Sequence, residues 1–112
     1  MTINEYQQLA LRTNPVKKNR SVQGILQGVM GLNGEAGECI DIVKKYMFQE
    51  HALDDQHLAK ELGDVAWYLA QAADAIGYDL ETIMQMNIEK LRARYPDGFE
   101  PELSRNRKEG DI

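Results

Sequence analysis

Apolar residues recur at three- and four-residue spacing through most of the chain. Val22, Ile25, Leu26, Val29, Leu32, Ala36, Cys39, Ile40, Val43 and Met47 keep this rhythm without a phase shift, which predicts one long helix with Ser21 as its N-cap. Leu58, Leu62, Val65, Ala66, Leu69, Ala73 and Ile76 predict a second, capped by Asp54 or Asp55 and closed by Gly77. A third buried stripe, Leu80, Ile83, Met84, Ile88, Leu91 and Tyr95, follows the N-cap Asp79 and stops at Pro96. Ahead of all three, Thr2 and Glu5 stand at capping-box spacing, so a short helix begins near Ile3. Residues 14–20 are polar and basic and read as a loop, either a flap beside an anionic ligand or a solvated connector. No run shows the period of a strand. The fold class predicted is all-α, a four-helix bundle-like single domain over 1–112, with a helical core of about residues 3–95 and an extended tail at 96–112.

Two of these stripes are interrupted by acids. Glu35 and Glu38 lie three apart in the first long helix, and Glu61 and Asp64 lie three apart in the next. Such a pair occupies one helical face, about 60° apart. Four carboxylates facing one another across two helices repel unless cations hold them, so the pattern points to a divalent-metal site. A single pair of this spacing is usually a solvated face, which is the alternative here. Gly24, Gly28, Gly31, Gly34 and Gly37 punctuate the same helix, each costing up to about 1 kcal/mol relative to alanine. Either a neighbour or ligand approaches the backbone closely or the helix breaks near Asn33-Gly34, and the unbroken periodicity favours approach.

Charge narrows the partners. The net charge of −5 comes without a basic run or face, which argues against nucleic acid and anionic membrane. The single cysteine, Cys39, cannot form an internal disulfide, and no apolar run or leader pattern is visible. A cytoplasmic location is expected. Oxygen ligands suit magnesium, with manganese as a substitute. The Glu-x-x-His pairs of di-iron bundles are missing, and His51 and His57 read as loop or first-turn residues. Asn87, Lys90 and Arg94 form a polar row on the last helix, which either binds phosphates or faces water. Tyr68 continues the Glu61–Asp64 line and Lys45 that of Glu35 and Glu38. Tyr68 either stacks on a base or packs in the core.

The stretches GLNGEAGECIDIVKK, ELGDVAWYLAQAADAIG and NIEKLRARYPDGF, in this order and spacing, resemble the all-α nucleoside triphosphate pyrophosphohydrolases of the MazG-like type. The resemblance runs from EYQQLALRT to YPDGF. It implies magnesium-dependent hydrolysis of ribo- or deoxyribonucleoside triphosphates to monophosphate and pyrophosphate, in nucleotide-pool house-cleaning. By the same resemblance Glu35, Glu38, Glu61 and Asp64 are the catalytic metal ligands. Asn87 and Lys90, with Arg94 as an addition, contact phosphate, and Tyr68 falls where relatives place an aromatic near the base. Lys90, with Arg94 or Lys45, is then expected to neutralise charge on the leaving pyrophosphate. It further implies a homo-oligomer, dimer or tetramer, whose sites combine chains. The chain departs from the pattern at Gly34, where several relatives carry a further acid. Two alternatives remain: a pyrophosphohydrolase for phosphoribosyl-ATP or an alarmone, and a non-catalytic metal-nucleotide-binding regulatory module.

Overall fold

The structure, a computed structural model, describes residues 1–16 and 20–112. Part of the expected loop at 14–20 therefore lies outside the described residues. Among the described residues five helices run in order: α1 (Ile3–Leu11), α2 (Val22–Phe48), α3 (Asp55–Ala75), α4 (Leu80–Arg94) and α5 (Pro101–Arg105). No described helix is long and apolar enough to cross a membrane. Two compact units divide the chain, Met1–Leu80 and Glu81–Ile112.

In the first unit the predicted helix ends are set by local chemistry. Thr2 and Glu5 form a reciprocal capping box, and Ser21 and Asp54 cap α2 and α3 through their side-chain oxygens. Past α3, Gly77 takes φ +83°. Its N–H donates to the carbonyl of Asp74, and that of Tyr78 to Ala73, a Schellman ending that only glycine adopts without strain.

Helix α2 is unbroken and packs antiparallel on α3. Its glycines divide by role. A Cβ on Gly28 would fall 2.8 Å from the Cα of Ala72, and one on Gly31 would strike the Tyr68 ring. Gly34, Gly37 and Gly63 meet nothing within 4 Å. Close approach of backbones is thus confined to one end of the hairpin.

Among the described residues only Ala10, Ala70, Ala73, Ala75 and Leu80 are buried apolar side chains. Tyr6, Trp67 and Leu69 pack around Ala10, Ala70 and Leu80. Gln7, 2% exposed, ties the unit together. Its Nε2 donates to the carbonyls of Ala70 and Tyr78, each at 3.2 Å, and its Oε1 accepts from the N–H of Leu80 at 2.9 Å. Gln71 Nε2 likewise donates to the Gly24 carbonyl at 2.9 Å.

The apolar stripe of α2 is not a single buried face. Val22, Leu26, Val29, Ala36, Ile40 and Met47 are exposed, Ile40 by 64%. On average they lie about 150° around the helix from Gly24, Gly28 and Gly31, which face α3. The predicted buried stripe of α4 is also corrected. Leu80 is buried, but Met84, Ile88 and Leu91 are open to solvent and Ile83 and Tyr95 half-buried. Helical spacing marks which residues share a face, and among the described residues most of these two faces stay open.

In the second unit, α4 ends at Arg94 before Pro96, and the chain turns at Gly98, φ +97°. The Tyr95 and Phe99 rings meet at 5.3 Å between centroids. The tail then forms α5, a single short helix with Pro101 in its first turn, and returns to Arg94, whose guanidinium pairs with Asp111.

A carboxylate cluster as candidate metal centre

Antiparallel packing of α2 on α3 puts residues whose numbers sum to about 100 side by side, as Gly28 lies against Ala72 and Gly31 against Tyr68. Continued one turn along, this register brings Glu35 opposite Asp64. Glu35, Glu61 and Asp64 each offer an oxygen within 4.8 Å of the others. Desolvation, followed by the charges of Asp64 and Glu61 and lastly of Glu38, pushes the Glu35 carboxyl above its ordinary range. The Asp64 charge also reaches Tyr6 on α1, where it adds to burial in raising the phenol. Three acids at this spacing are an all-oxygen donor set short of positive charge, the environment a hard divalent cation fits.

Glu38 stands outside the three-oxygen set. It lines an adjoining cleft of about 530 Å³ with Asp41, Lys45, Glu50, His51 and His57. There Asp41 pairs with Lys44 at 2.9 Å and Lys45 at 2.8 Å. Those two ammonium groups, Lys44 first, hold the Asp41 carboxyl down at about 2. The same hydrogen bond to Asp41 raises Lys45. Lys45 thus sits at the rim of the acidic region, already engaged.

His51 and His57 lie outside the three-oxygen set, yet His57 touches it. His57 Nε2 lies 3.2 Å from Glu61 Oε1. The i, i+4 spacing on α3 was the available signal for this contact. Tyr68 packs its ring over Gly31 and edge-on to Trp67, centroids 4.9 Å apart. Asn87, Lys90 and Arg94 belong to the second unit. Asn87 and Lys90 are exposed, while Arg94 is held by Asp111.

Residues 23–99 match the MazG nucleotide pyrophosphohydrolase domain, a span that contains the whole carboxylate cluster. The chain belongs to the MazG family. A relative is the Gene 37 protein of Mycobacterium phage L5, 40% identical over 82 residues, or 70% of this chain and 72% of that protein. No solved structure matches. Membership in the MazG family agrees with the all-helical architecture and makes nucleotide pyrophosphohydrolase chemistry the context for the cluster.

Proposed function

We propose that this protein hydrolyses nucleoside triphosphates to the monophosphate and pyrophosphate with magnesium, as part of nucleotide-pool house-cleaning. The observation that carries the reading is the convergence of Glu35, Glu61 and Asp64 from two helices, with oxygens within 4.8 Å and the like charges of its neighbours raising the Glu35 carboxyl. Glu35, Glu38, Glu61 and Asp64 would hold the cation, which when bound neutralises phosphate charge and acidifies water. His57 orients Glu61. Asn87, Lys90 and Arg94 bind phosphate oxygens, and cations there stabilise charge developing on the departing pyrophosphate. Lys45, next to Glu38, adds to that field. Tyr68 lies near the base.

A second copy of the chain completes the molecule. Four alanines and one leucine, the buried apolar side chains among the described residues, are a thin core for a unit of this size, and the outer face of α2 carries Val22, Leu26, Val29, Ala36, Ile40 and Met47 in the open. Ile40→Glu is expected to shift the mass measured by light scattering towards monomer; an unchanged mass removes that face as the contact.

Hydrolysis of the standard, deoxy and oxidised triphosphates in oxygen-18 water, followed by phosphorus NMR, tests the reaction. Label in the monophosphate is expected, label in pyrophosphate refutes attack at the α-phosphorus, and tight binding without turnover replaces the enzyme by a regulatory module.

A further inference from the structure

The second unit contains a pocket of about 410 Å³, and its charge is unlike that of the rest of the chain. Lys90 and Arg94 from α4 line it together with Asn106, Arg107, Lys108, Gly110 and Asp111 from the segment after α5. The protein as a whole carries −5, whereas the ionisable side chains around this pocket are four cations and one acid. That acid has a defined seat. Arg94 Nε donates to Asp111 Oδ2 at 2.8 Å and Arg94 Nη2 to Oδ1 at 2.7 Å, the parallel fork with which a guanidinium also grips a phosphate. The pair is well shielded, the Arg94 side chain being only 10% exposed.

Asp111 is delivered to this seat by a turn. Its N–H donates to the Lys108 carbonyl at 3.1 Å, and Gly110 within the turn takes φ +85°, a conformation in which a side chain is strained. One carboxylate neutralises one of the four cations. The others remain for an anion with several charges, and Arg107 and Lys90 already act on Asp111 from a distance.

We propose that this pocket binds the linked phosphates of a polyphosphate ligand through Lys90, Arg94, Arg107 and Lys108, and that Asp111 occupies the Arg94 seat until that ligand displaces it. The tail is then a built-in competitor, and Arg107 and Lys108 are binding residues supplied by the same segment. The inference deepens the proposed function: it shares Lys90 and Arg94 with it and takes a nucleotide or its pyrophosphate product as the source of the phosphates.

Titration calorimetry at constant ionic strength, without magnesium, tests it with inorganic pyrophosphate, tripolyphosphate and an α,β-methylene nucleoside triphosphate as probes. Asp111→Asn keeps the turn but removes the competing charge, and is expected to bind tripolyphosphate roughly tenfold tighter than the unaltered protein. Gly110→Ala strains the turn and should shift affinity in the same direction. Arg107→Gln with Lys108→Gln is expected to weaken binding at least tenfold. Unchanged or weaker binding in Asp111→Asn, with circular dichroism showing an intact helical fold, overturns the competition. Unchanged binding in the Arg107–Lys108 double variant overturns the pocket. Equal affinity for pyrophosphate and the nucleotide analogue identifies the phosphate chain as the whole determinant, and tighter analogue binding assigns the pocket to substrate. Phosphate binding that follows these expectations in a protein that hydrolyses no triphosphate leaves the pocket standing and removes the proposed reaction. Hydrolysis without the Asp111 effect does the reverse.

Discussion

Glu35 and Asp111 are both carboxylates, and their surroundings treat them oppositely. Around Glu35, burial and the like charges of Asp64, Glu61 and Glu38 push the carboxyl upward. Around Asp111, the Arg94 hydrogen bonds and the more distant Arg107 and Lys90 hold it down. The first region brings negative groups together, a repulsion that a positive ligand would relieve. The second supplies its own counter-charge, so the ligand proposed for it would have to compete with part of the chain. An unbalanced cluster on rigid helices reads as a place for a cation, and a self-balanced one as a place where an anion can be exchanged.

The largest test of this contrast removes an acid. Glu61→Ala is expected to lower triphosphate turnover at least about 100-fold, since ligand loss should exceed the 10–100-fold typical of removing a ligand's supporting partner. In the absence of divalent metal the same variant should melt no lower than the unaltered protein, because a repulsion is relieved; a clearly lower melting temperature contradicts the unbalanced reading. Smaller is the effect of His57→Ala, which frees Glu61 and should weaken magnesium activation roughly tenfold. His57→Gln, able to donate to the same oxygen, should recover part of it.

Helix spacing separates the two kinds of glycine. Gly31→Ala drives a methyl into the Tyr68 ring and should cost about 1–3 kcal/mol in urea unfolding. Gly34→Ala meets nothing within 4 Å and should stabilise the isolated chain by up to about 1 kcal/mol. If it instead abolishes turnover with the fold intact, the open space beside Glu35 is needed by a ligand or a second chain.

The gentlest probe is acid. Asp111 and Asp41 are both held below their ordinary value of 3.8. Depressed carboxylates stabilise the folded state above the unfolded value, and that contribution is lost as pH falls through the folded one. The Arg94–Asp111 closure should therefore persist at neutral pH and open only below about 3.8, with Asp41 letting go of Lys44 and Lys45 last, towards about 2. NMR titration of the Asp111 side chain would reveal an opening at higher pH, which would mean that the pocket is not self-balanced.

Caps and periodicity were legible residue by residue. Thr2 with Glu5, Ser21, Asp54 and Gly77 act within one turn of themselves, so local sequence decides what they do. That each pair of acids shares one face of its helix was legible as well, because a three-residue spacing fixes it locally. Gln7 and Gln71 were not. A glutamine near the start of a helix carries no mark that its amide will reach 63 residues along the chain to Ala70. The exposed stripes of α2 and α4 escaped for a related reason: periodicity reports which residues share a side, and burial depends on what stands opposite.

The sequence by itself determined five features of this protein: helical class, helix ends, an unbroken α2, the acids on shared faces and the MazG family. Those properties come from interactions a few residues long or from motif order. Only the tertiary structure decided that Glu35, Glu61 and Asp64 share one centre while Glu38 lines the cleft beside it. It alone decided that Tyr68 fills the space over Gly31 and that Asp111 returns to Arg94. Each of these depends on the register between segments far apart in the chain, which is fixed by packing and by a few long-range hydrogen bonds, and no local spacing encodes it.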